Sequence, residues 1–543
     1  MLILGITDSH DASVTLAEDG KALFAASEER FTGNKMQQGF PFRSLECAKK
    51  IIRNRHIDKI YVAGRYGRAI FRIFNHVYSK TLPRKDILSF SSKLACWLEN
   101  TVARTPGVRS IDLMFGSWAI RRRLRSMCID YRSIEFNDHH QAHIQTAISG
   151  LNSNDFLAVS FDAYGDGRSG LLLRVNKGRT IKRMDIPDRY SLAHFYGFIC
   201  AALGFKEGEE GKVMALADYG KETMLGNIFA ALFEVSAENL KVDNVYRKRR
   251  FLKRLNNFRR EDVAYALQEV VENVAFKFIR NFLSGGEKPD LFLAGGFFSN
   301  IKVNQLFVES GLFNRIFVFP NMGDGGLSFI AKELESIYLG PEYSDEYIKE
   351  MLEAKKLVYS EESEIEKKAA ILLAQGKVIA RFNGRMEFGP RALGNRSILY
   401  RSDDPTVNDW LNMKLKRTEF MPFAPVTLFD LREKCYKNIC GSEFATKFMT
   451  VSLHCTDEMK KISRGVIHID GTARPQIIKE VDNPSYYKIL KEYYRITGIP
   501  SLLNTSLNMH NQPIACSPEE AVAVFQEAGL DFLAIGNFLL KRG

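Results

Sequence analysis

The sequence predicts a mixed α/β chain built as two domains, and three observations predict it. Two blocks on the amino-terminal side each begin strand, acidic turn, strand: ILGITDSHDAS and FLAVSFDAYGDG. The polar stretch GPEYSDEYIKEMLEAKKLVYSEES, roughly 340–363, reads as a linker. After it, helix EIEKKAAILLAQG and strand KVIARF start an α+β unit that reaches the carboxyl terminus. At 543 residues the chain is too long for one hydrophobic core. The division expected is 1–355 and 364–543.

The elements follow in order. ILGITDS, SVTLAEDG and KALFAASEER read as a hairpin-rich start, with Asp19-Gly20 at a turn. Residues 43–60 read as helix and KIYVAG as the next strand. From about 65 to 130 the chain is basic, aromatic and poorly patterned, as an insertion would be. FLAVSFDAYGDG and LLLRVNKGRTIKRMD then repeat the strand–turn–strand idea, which suggests internal duplication. Helix VAYALQEVVENVAFKFIRNFL, strand DLFLAGG and a helix opening near Asn300 complete the first domain.

Hydrophobic residues make up 45% of the chain and charged ones 26%, the composition of a soluble globular protein. No apolar run is long enough to span a bilayer, and the first strand meets Asp8 and Asp11 too soon for a signal peptide. Eight cysteines without a CxxC pair suggest neither a disulfide framework nor a zinc ribbon. The expected compartment is the cytoplasm. The net charge of +12 is unevenly placed, with Arg121, Arg122, Arg123 and Arg125 ending one basic tract and YRKRRFLKRLNNFRR, Tyr246–Arg260, forming another. Such a field suits nucleic acid, an anionic membrane or a negatively charged substrate, and equally a solvated helical insertion.

The most informative stretch is RFNGRMEFGPRALGNRSIL, Arg381 to Leu399. It sets Arg381, Arg385, Arg391 and Arg396 among Gly384, Gly389 and Gly394. Glycines admit close backbone approach, and guanidinium groups grip phosphate or carboxylate oxygens two at a time, so an oxyanion site is expected. LNMKLKRTEFMPFAP adds Lys414, Lys416 and Arg417, HIDGTARPQ adds His468 and Arg474, and SLLNTSLNM adds Asn504, Ser506 and Asn508. This set suits a small anion such as carbamoyl phosphate, or the phosphates of ATP.

In the first domain His139 and His143 stand at i and i+4, one helical turn apart, which suits a shared metal ion. Asp162 and Asp324, each after a strand and among glycines, complete a set of two nitrogens and two oxygens. Asp166 serves as well as Asp162 on this reading, and Fe(II), Zn(II) and Mn(II) all fit. FLAGGFFSN, with Gly295, Gly296 and Asn300, and NMGDGGLS, with Gly325, each follow a strand and precede a helix, where nucleotide phosphates are received.

These segments occur together and in order in a known family. GITDSHDAS, ASEERFTGNK, the His139/His143 pair, GEEGKVMALADYG, LAGGFFSN, NMGDGG, GRMEFGPRALGNRS, KRTEFMPFAP, HIDGTARPQ and LLNTSLNMHNQPI resemble the NodU/CmcH/TobZ O-carbamoyltransferases. The resemblance covers nearly the whole chain and is weakest at 65–130 and 245–260. It implies an ASKHA-type domain, of the duplicated actin/Hsp70-like kind, followed by a YrdC-like α+β domain. It also implies an activity: carbamoyl-adenylate made from carbamoyl phosphate and ATP, then transfer of the carbamoyl group to a hydroxyl of a small-molecule or glycan acceptor. By position it makes His139, His143, Asp162 and Asp324 metal ligands, with iron the family's ion and Mg2+ accompanying ATP. Arg391, Lys416, Arg417, Arg474, Asn504 and Ser506 fall in segments that hold carbamoyl phosphate and ATP, and His10 and Lys35 lie near the acceptor.

His10 has the unperturbed pKa range of a general base for the acceptor hydroxyl, and would equally serve to order its turn. A tRNA-modifying enzyme of threonylcarbamoyl type would bring a recognisable RNA module, and none is found. Stable nucleic-acid binding is therefore not expected, while membrane contact through 65–130 is allowed. A nonenzymatic nucleotide sensor on the same scaffold would need neither the histidine pair nor a second, arginine-rich pocket. No motif chooses the acceptor.

Overall fold

The computed structural model describes residues 1–66, 72, 105–283, 285–417 and 422–542. Most of the basic segment expected at 65–130, and residues 418–421 of KRTEFMPFAP, lie outside the described residues.

Strands β1 (Leu2–Thr7), β2 (Ser13–Glu18) and β3 (Lys21–Ser27) form an antiparallel meander. Asp19 and Gly20, both at positive φ (51° and 88°), make the turn that suits a right-twisted hairpin. Strands β4 (Ile57–Ala63) and β5 (Tyr131–Asn137) then add in parallel, in the order β3-β2-β1-β4-β5. The helix read over 43–60 is shorter, Phe42–Ile52. Arg53 takes φ 56° and stops it, and Ile57 onward is drawn into register with β1 and β5.

The second block repeats the plan. Strands β6 (Phe156–Gly165), β7 (Arg168–Asn176) and β8 (Arg179–Pro187) form a second meander. Its turns, Asp166-Gly167 and Lys177-Gly178, again hold both residues at positive φ. After a short ribbon of β9 (Phe233–Val235) and β10 (Leu240–Val242), strands β11 (Asp290–Ala294) and β12 (Ile316–Val318) add in parallel. The order β8-β7-β6-β11-β12 matches the first sheet strand for strand. This is the duplicated ASKHA-type arrangement. Helix Arg260–Phe282 buries Leu267, Val271, Phe278 and Ile279 against the second sheet. Within the basic tract at 246–260, helix Arg249–Leu255 buries Leu255 and turns Arg249, Arg250, Lys253 and Arg254 to a surface cleft.

The carboxyl-terminal sheet is mixed and has eight strands. It comprises β13 (Tyr359–Glu361), β14 (Ile379–Phe382), β15 (Arg396–Arg401), β16 (Ala424–Leu428), β19 (Gln476–Ile478), β20 (Ser501–Ser506), β21 (Phe532–Ile535) and β22 (Phe538–Lys541). Their order is β13-β22-β21-β14-β15-β20-β16-β19, with β17 (Leu453–His454) and β18 (Thr472–Ala473) as a separate ribbon. Helices Ile365–Ala374 and Pro484–Thr497 share one core with this sheet, and helix Pro518–Glu527 lies in another.

The stretch read as a linker is structured. Helix Asp345–Ala354 packs Ile348, Met351 and Leu352 with Val378 and Phe382, and β13 pairs with β22. Both therefore belong to the carboxyl-terminal body. The two bodies meet through Phe317, Phe319 and Phe329 from one side and Phe388, Leu393 and Ala424 from the other. Among the described residues no helix is long and apolar enough to cross a membrane.

Candidate functional site

Helix His139–Ile148 starts under tight control. Asp138 caps it by accepting the Gln141 amide at 3.0 Å, and Asp166 accepts the His139 amide at 2.8 Å. Asp166 also accepts the amides of Arg65 and Tyr66, so its carboxylate is committed to backbone and leaves the ligand position to Asp162. His139 and His143 are buried, and their Nε2 atoms face Asp162 at the end of β6 and Asp324 beyond β12. His143 lies 3.0 Å from Asp162 and 3.7 Å from Asp324, and His139 lies 3.9 and 3.5 Å from them.

One ligand atom from each residue falls within 4.8 Å of all the others. A tetrahedral ion with bonds near 2.1 Å holds its ligands about 3.4 Å apart, so the set fits a divalent cation. The neighbouring His140 turns away to Ser160 at 2.8 Å. Gly165 is obligatory here, because a Cβ would sit 2.2 Å from the His139 ring. The Gly296 amide (3.1 Å) steadies Asp162 and the Ser9 hydroxyl (2.7 Å) steadies Asp324.

Electrostatics bind the four into one unit. Burial disfavours charge on His143, but Asp162 and Asp324 outweigh it and hold the imidazole at about 9. Burial likewise opposes the charge on both aspartates, yet the two imidazoles pull them below the ordinary carboxylate range.

His10 follows Ser9, and its charge acts on Asp324 and on Asp11. Asp11 was not among the sequence candidates, although it sits at φ 56° beside this cluster. Burial pushes its carboxyl up to about 6, His10 opposes that, and Glu29 and Asp324 add to it. The left-handed backbone was the only signal that could have flagged it, and it is invisible in sequence. Lys35 lies exposed on the loop after Gly33, and its charge reaches His510 of the carboxyl-terminal body.

The glycine loops serve the metal site as much as any nucleotide. Gly295 takes φ 98°, and a Cβ there would strike the Phe161 carbonyl at 2.0 Å. Asn300 caps helix Ile301–Glu309 through the Val303 amide and exchanges hydrogen bonds with Gln268, so its side chain is occupied in packing. The Gly325 carbonyl accepts the Ser13 hydroxyl at 2.7 Å.

The four arginines of the 381–399 stretch divide sharply. Arg396 is fully buried and donates to the carbonyls of Asn383, Asn395, Pro341 and Gly384. Arg385 donates to Gly340, Leu23 and Leu339, and Arg381 to Gly394, Asn395 and Ser485. These three build the loop. Arg391 differs: its buried Nε meets no hydrogen-bond acceptor. Burial lowers it to about 10 with no carboxylate to offset that.

Arg417 is brought down to about 10 by the same cause, and burial lowers Arg474 with the charges of Arg391 and Arg417 adding to it. Three cations thus share one site. Asn504 lies beside it, donating to the Ala392 carbonyl at 3.2 Å with its own Oδ1 unsatisfied. Ser506 donates to Asn508 on the same strand end. Lys416 is not part of this site; it is largely exposed and paired with Glu527 at 2.8 Å. Lys414 likewise donates to the Gly529 carbonyl.

The loops that carry the two sites touch across the body interface. A Cβ at Gly389 would lie 3.3 Å from the Pro320 carbonyl, four residues before Asp324, and Arg30 donates to the Gly389 carbonyl at 2.7 Å. Lys302 is a second tie, bonded to Asp218 and, at 3.0 Å, to Asp470 of the segment that carries Arg474.

The molecule thus carries a buried two-imidazole, two-carboxylate centre and a cluster of uncompensated arginines, on a duplicated α/β body joined to a mixed sheet. The chain belongs to the carbamoyltransferase family: the carbamoyltransferase amino-terminal family matches residues 2–331 and the carboxyl-terminal family residues 370–542. It is 31% identical to an uncharacterized protein of Methanocaldococcus jannaschii over all of both chains. It is 28% identical to nodulation protein NolNO of Sinorhizobium fredii, spanning 99% of this chain and 79% of that one. Nodulation protein NolO of Bradyrhizobium diazoefficiens is 31% identical over 75% of this chain and 79% of its own.

Proposed function

We propose that the protein is an ATP-dependent O-carbamoyltransferase that works through carbamoyl-adenylate. The observation that carries this reading is the trio Arg391, Arg417 and Arg474, three partly buried guanidiniums with no carboxylate to offset their charge. Buried like charges without counter-ions are costly unless an anion joins them. Carbamoyl phosphate and the phosphates of ATP are such anions. Water hydrolyses carbamoyl phosphate to carbamate and phosphate, and a carbamate oxygen then attacks the α-phosphorus of ATP, breaking its bond to pyrophosphate, which leaves as its Mg2+ complex. Arg391, Arg417 and Arg474 hold the oxyanions in line and take up their charge, with Asn504 and Ser506 at the rim.

The mixed anhydride reacts with water, so in this reading it passes directly from the Arg391 loop to the amino-terminal body, whose 320–326 loop packs against Gly389. At the second site the acceptor hydroxyl attacks the carbamoyl carbon, AMP leaves, and His10 takes the hydroxyl proton, with Lys35 at the outer edge. His139, His143, Asp162 and Asp324 would hold a divalent ion, iron by resemblance or zinc or manganese by donor type, which supplies Lewis-acid polarisation of a carbonyl. The acceptor is a hydroxyl-bearing small molecule or glycan. Adenylation belongs to 364–543 in this reading, although the packing of Asp345–Ala354 favours a fragment that begins near Pro341.

The test is isotope exchange. Purified protein given carbamoyl phosphate and ATP should exchange labelled pyrophosphate into ATP with no acceptor present, and Arg391→Ala should lose about 10²–10³-fold. Full exchange in that variant would remove the pocket assignment, and no exchange in the native protein would remove the adenylate.

A further inference from the structure

Helix Pro106–Ser126 closes the basic segment, and it is apolar on two opposite faces. One face is docked: Ala119, Ile120 and Leu124 are buried, the last two in the core of the first sheet. The other carries Val108, Ile111, Met114, Phe115 and Trp118, each between 39% and 58% exposed. Their spacing puts them along one stripe, and over 21 residues the helix is roughly 30 Å long. Five large apolar side chains in a row on a surface helix are a contact face, not scattered exposure.

The charges beside the stripe choose its partner. Arg121, Arg122 and Arg125 follow directly, and none of them has an acidic partner among the described residues. Arg122 stacks over the Trp118 ring at 5.5 Å, so one cation is held at the edge of the apolar face. The helix has one acidic residue, Asp112, and it is on the buried side. A second copy of this helix would bring no carboxylate to neutralise these arginines. Lipid phosphates would, while acyl chains take the aromatic and aliphatic side chains.

We propose that the face Val108–Trp118 lies on an anionic lipid surface, with Arg121, Arg122 and Arg125 at headgroup level. The back of the same helix reaches the transfer site. Arg123 donates to the Arg72 carbonyl, and Arg72 clasps Asp8 at 2.8 and 3.1 Å, one residue before Ser9 and two before His10. At the other end Arg109 stacks over Tyr66 at 5.2 Å, and Tyr66 is bound through Asp166 to the first turn of the His139 helix. A surface that seats this helix therefore lies beside the cleft, where an amphiphilic hydroxyl acceptor can enter from the lipid. The docking itself does not depend on the carbamoyl chemistry.

The experiment is vesicle co-sedimentation of the full chain. Vesicles of phosphatidylcholine with 30% phosphatidylglycerol, an arbitrary test mixture of about physiological charge density, are compared with pure phosphatidylcholine. The bound fraction should be at least about tenfold higher on the anionic vesicles and fall as salt rises. Phe115→Glu/Trp118→Glu should lower it at least about tenfold, and Arg121→Ala/Arg122→Ala/Arg125→Ala should remove the preference for charge. Retained metal content and circular dichroism identify each variant as folded. The proposal is overturned if the native chain stays in the supernatant or if the double variant binds as well as the native chain. It is equally overturned if that variant instead turns a dimer into a monomer.

Discussion

Two clusters of side chains, one in each body, answer the same problem, buried charge, in opposite ways. The His139, His143, Asp162 and Asp324 cluster is self-compensating: each imidazole faces two carboxylates, and all four sit in one another's field. The Arg391, Arg417 and Arg474 cluster is not; its members weaken one another, and no carboxylate enters their balance. The first cluster balances its own charges, and the second is left with charge that no neighbouring carboxylate balances.

Arg391 and Arg396 are five residues apart and test that contrast most severely. Arg391→Ala should lose pyrophosphate exchange about 10²–10³-fold while its melting temperature stays level or rises, because like-charge repulsion is relieved. Arg396→Ala leaves four carbonyls without their donor and should cost about 3 kcal/mol, roughly 6–12 °C in melting temperature. Equal melting temperatures for the two would break the comparison.

Metal analysis comes next in size. The His139→Ala/His143→Ala double variant should lose its bound divalent ion and still exchange pyrophosphate; unchanged metal content would make the pair structural.

The smallest effect concerns His468, which lies within the field of Arg474. Burial, with the charges of Arg474 and Lys302, lowers its pKa from 6.5 to about 4 despite Asp470. A depressed folded value favours the neutral ring, so its share of stability is present above pH 6.5 and is lost as pH falls toward 4. Between pH 7 and 5 the native protein should lose about 1–2 kcal/mol more than His468→Gln, measured by urea unfolding. A parallel pH response in both proteins would show that the ring is already protonated or solvated.

The clustering of His139, His143, Asp162 and Asp324 was legible because each carries local grammar: an i, i+4 pair on one helix and aspartates at glycine-rich strand ends. The duplication was legible for the same reason, through the strand, acidic turn, strand opening shared by ILGITDSHDAS and FLAVSFDAYGDG. The roles of the arginines were not. What claims Arg385 is the Leu23 carbonyl, and what claims Arg396 includes Pro341, partners far away in sequence. Lys416 looked equivalent to Arg417 next to it, yet its φ of 55° sends it to Glu527 on the surface. Asn300 was read as facing a nucleotide, and Gln268, from a helix ahead of it, holds it instead. The supposed linker failed in a related way: Ile348, Met351 and Leu352 are few among charges, and their meaning depends on Val378 and Phe382.

Glu387 touches no ligand site, yet its Oε1 accepts the amides of Leu393, Asn395 and Arg396 at 2.8, 2.8 and 3.2 Å. One carboxylate oxygen thus fastens the whole turn that displays Arg391. The entropy of ordering that turn is lost when the chain folds, not when the substrate arrives. The loop is a preorganised die, and in the proposed reaction the energy of gripping an anion goes into binding and alignment instead of into shaping the grip.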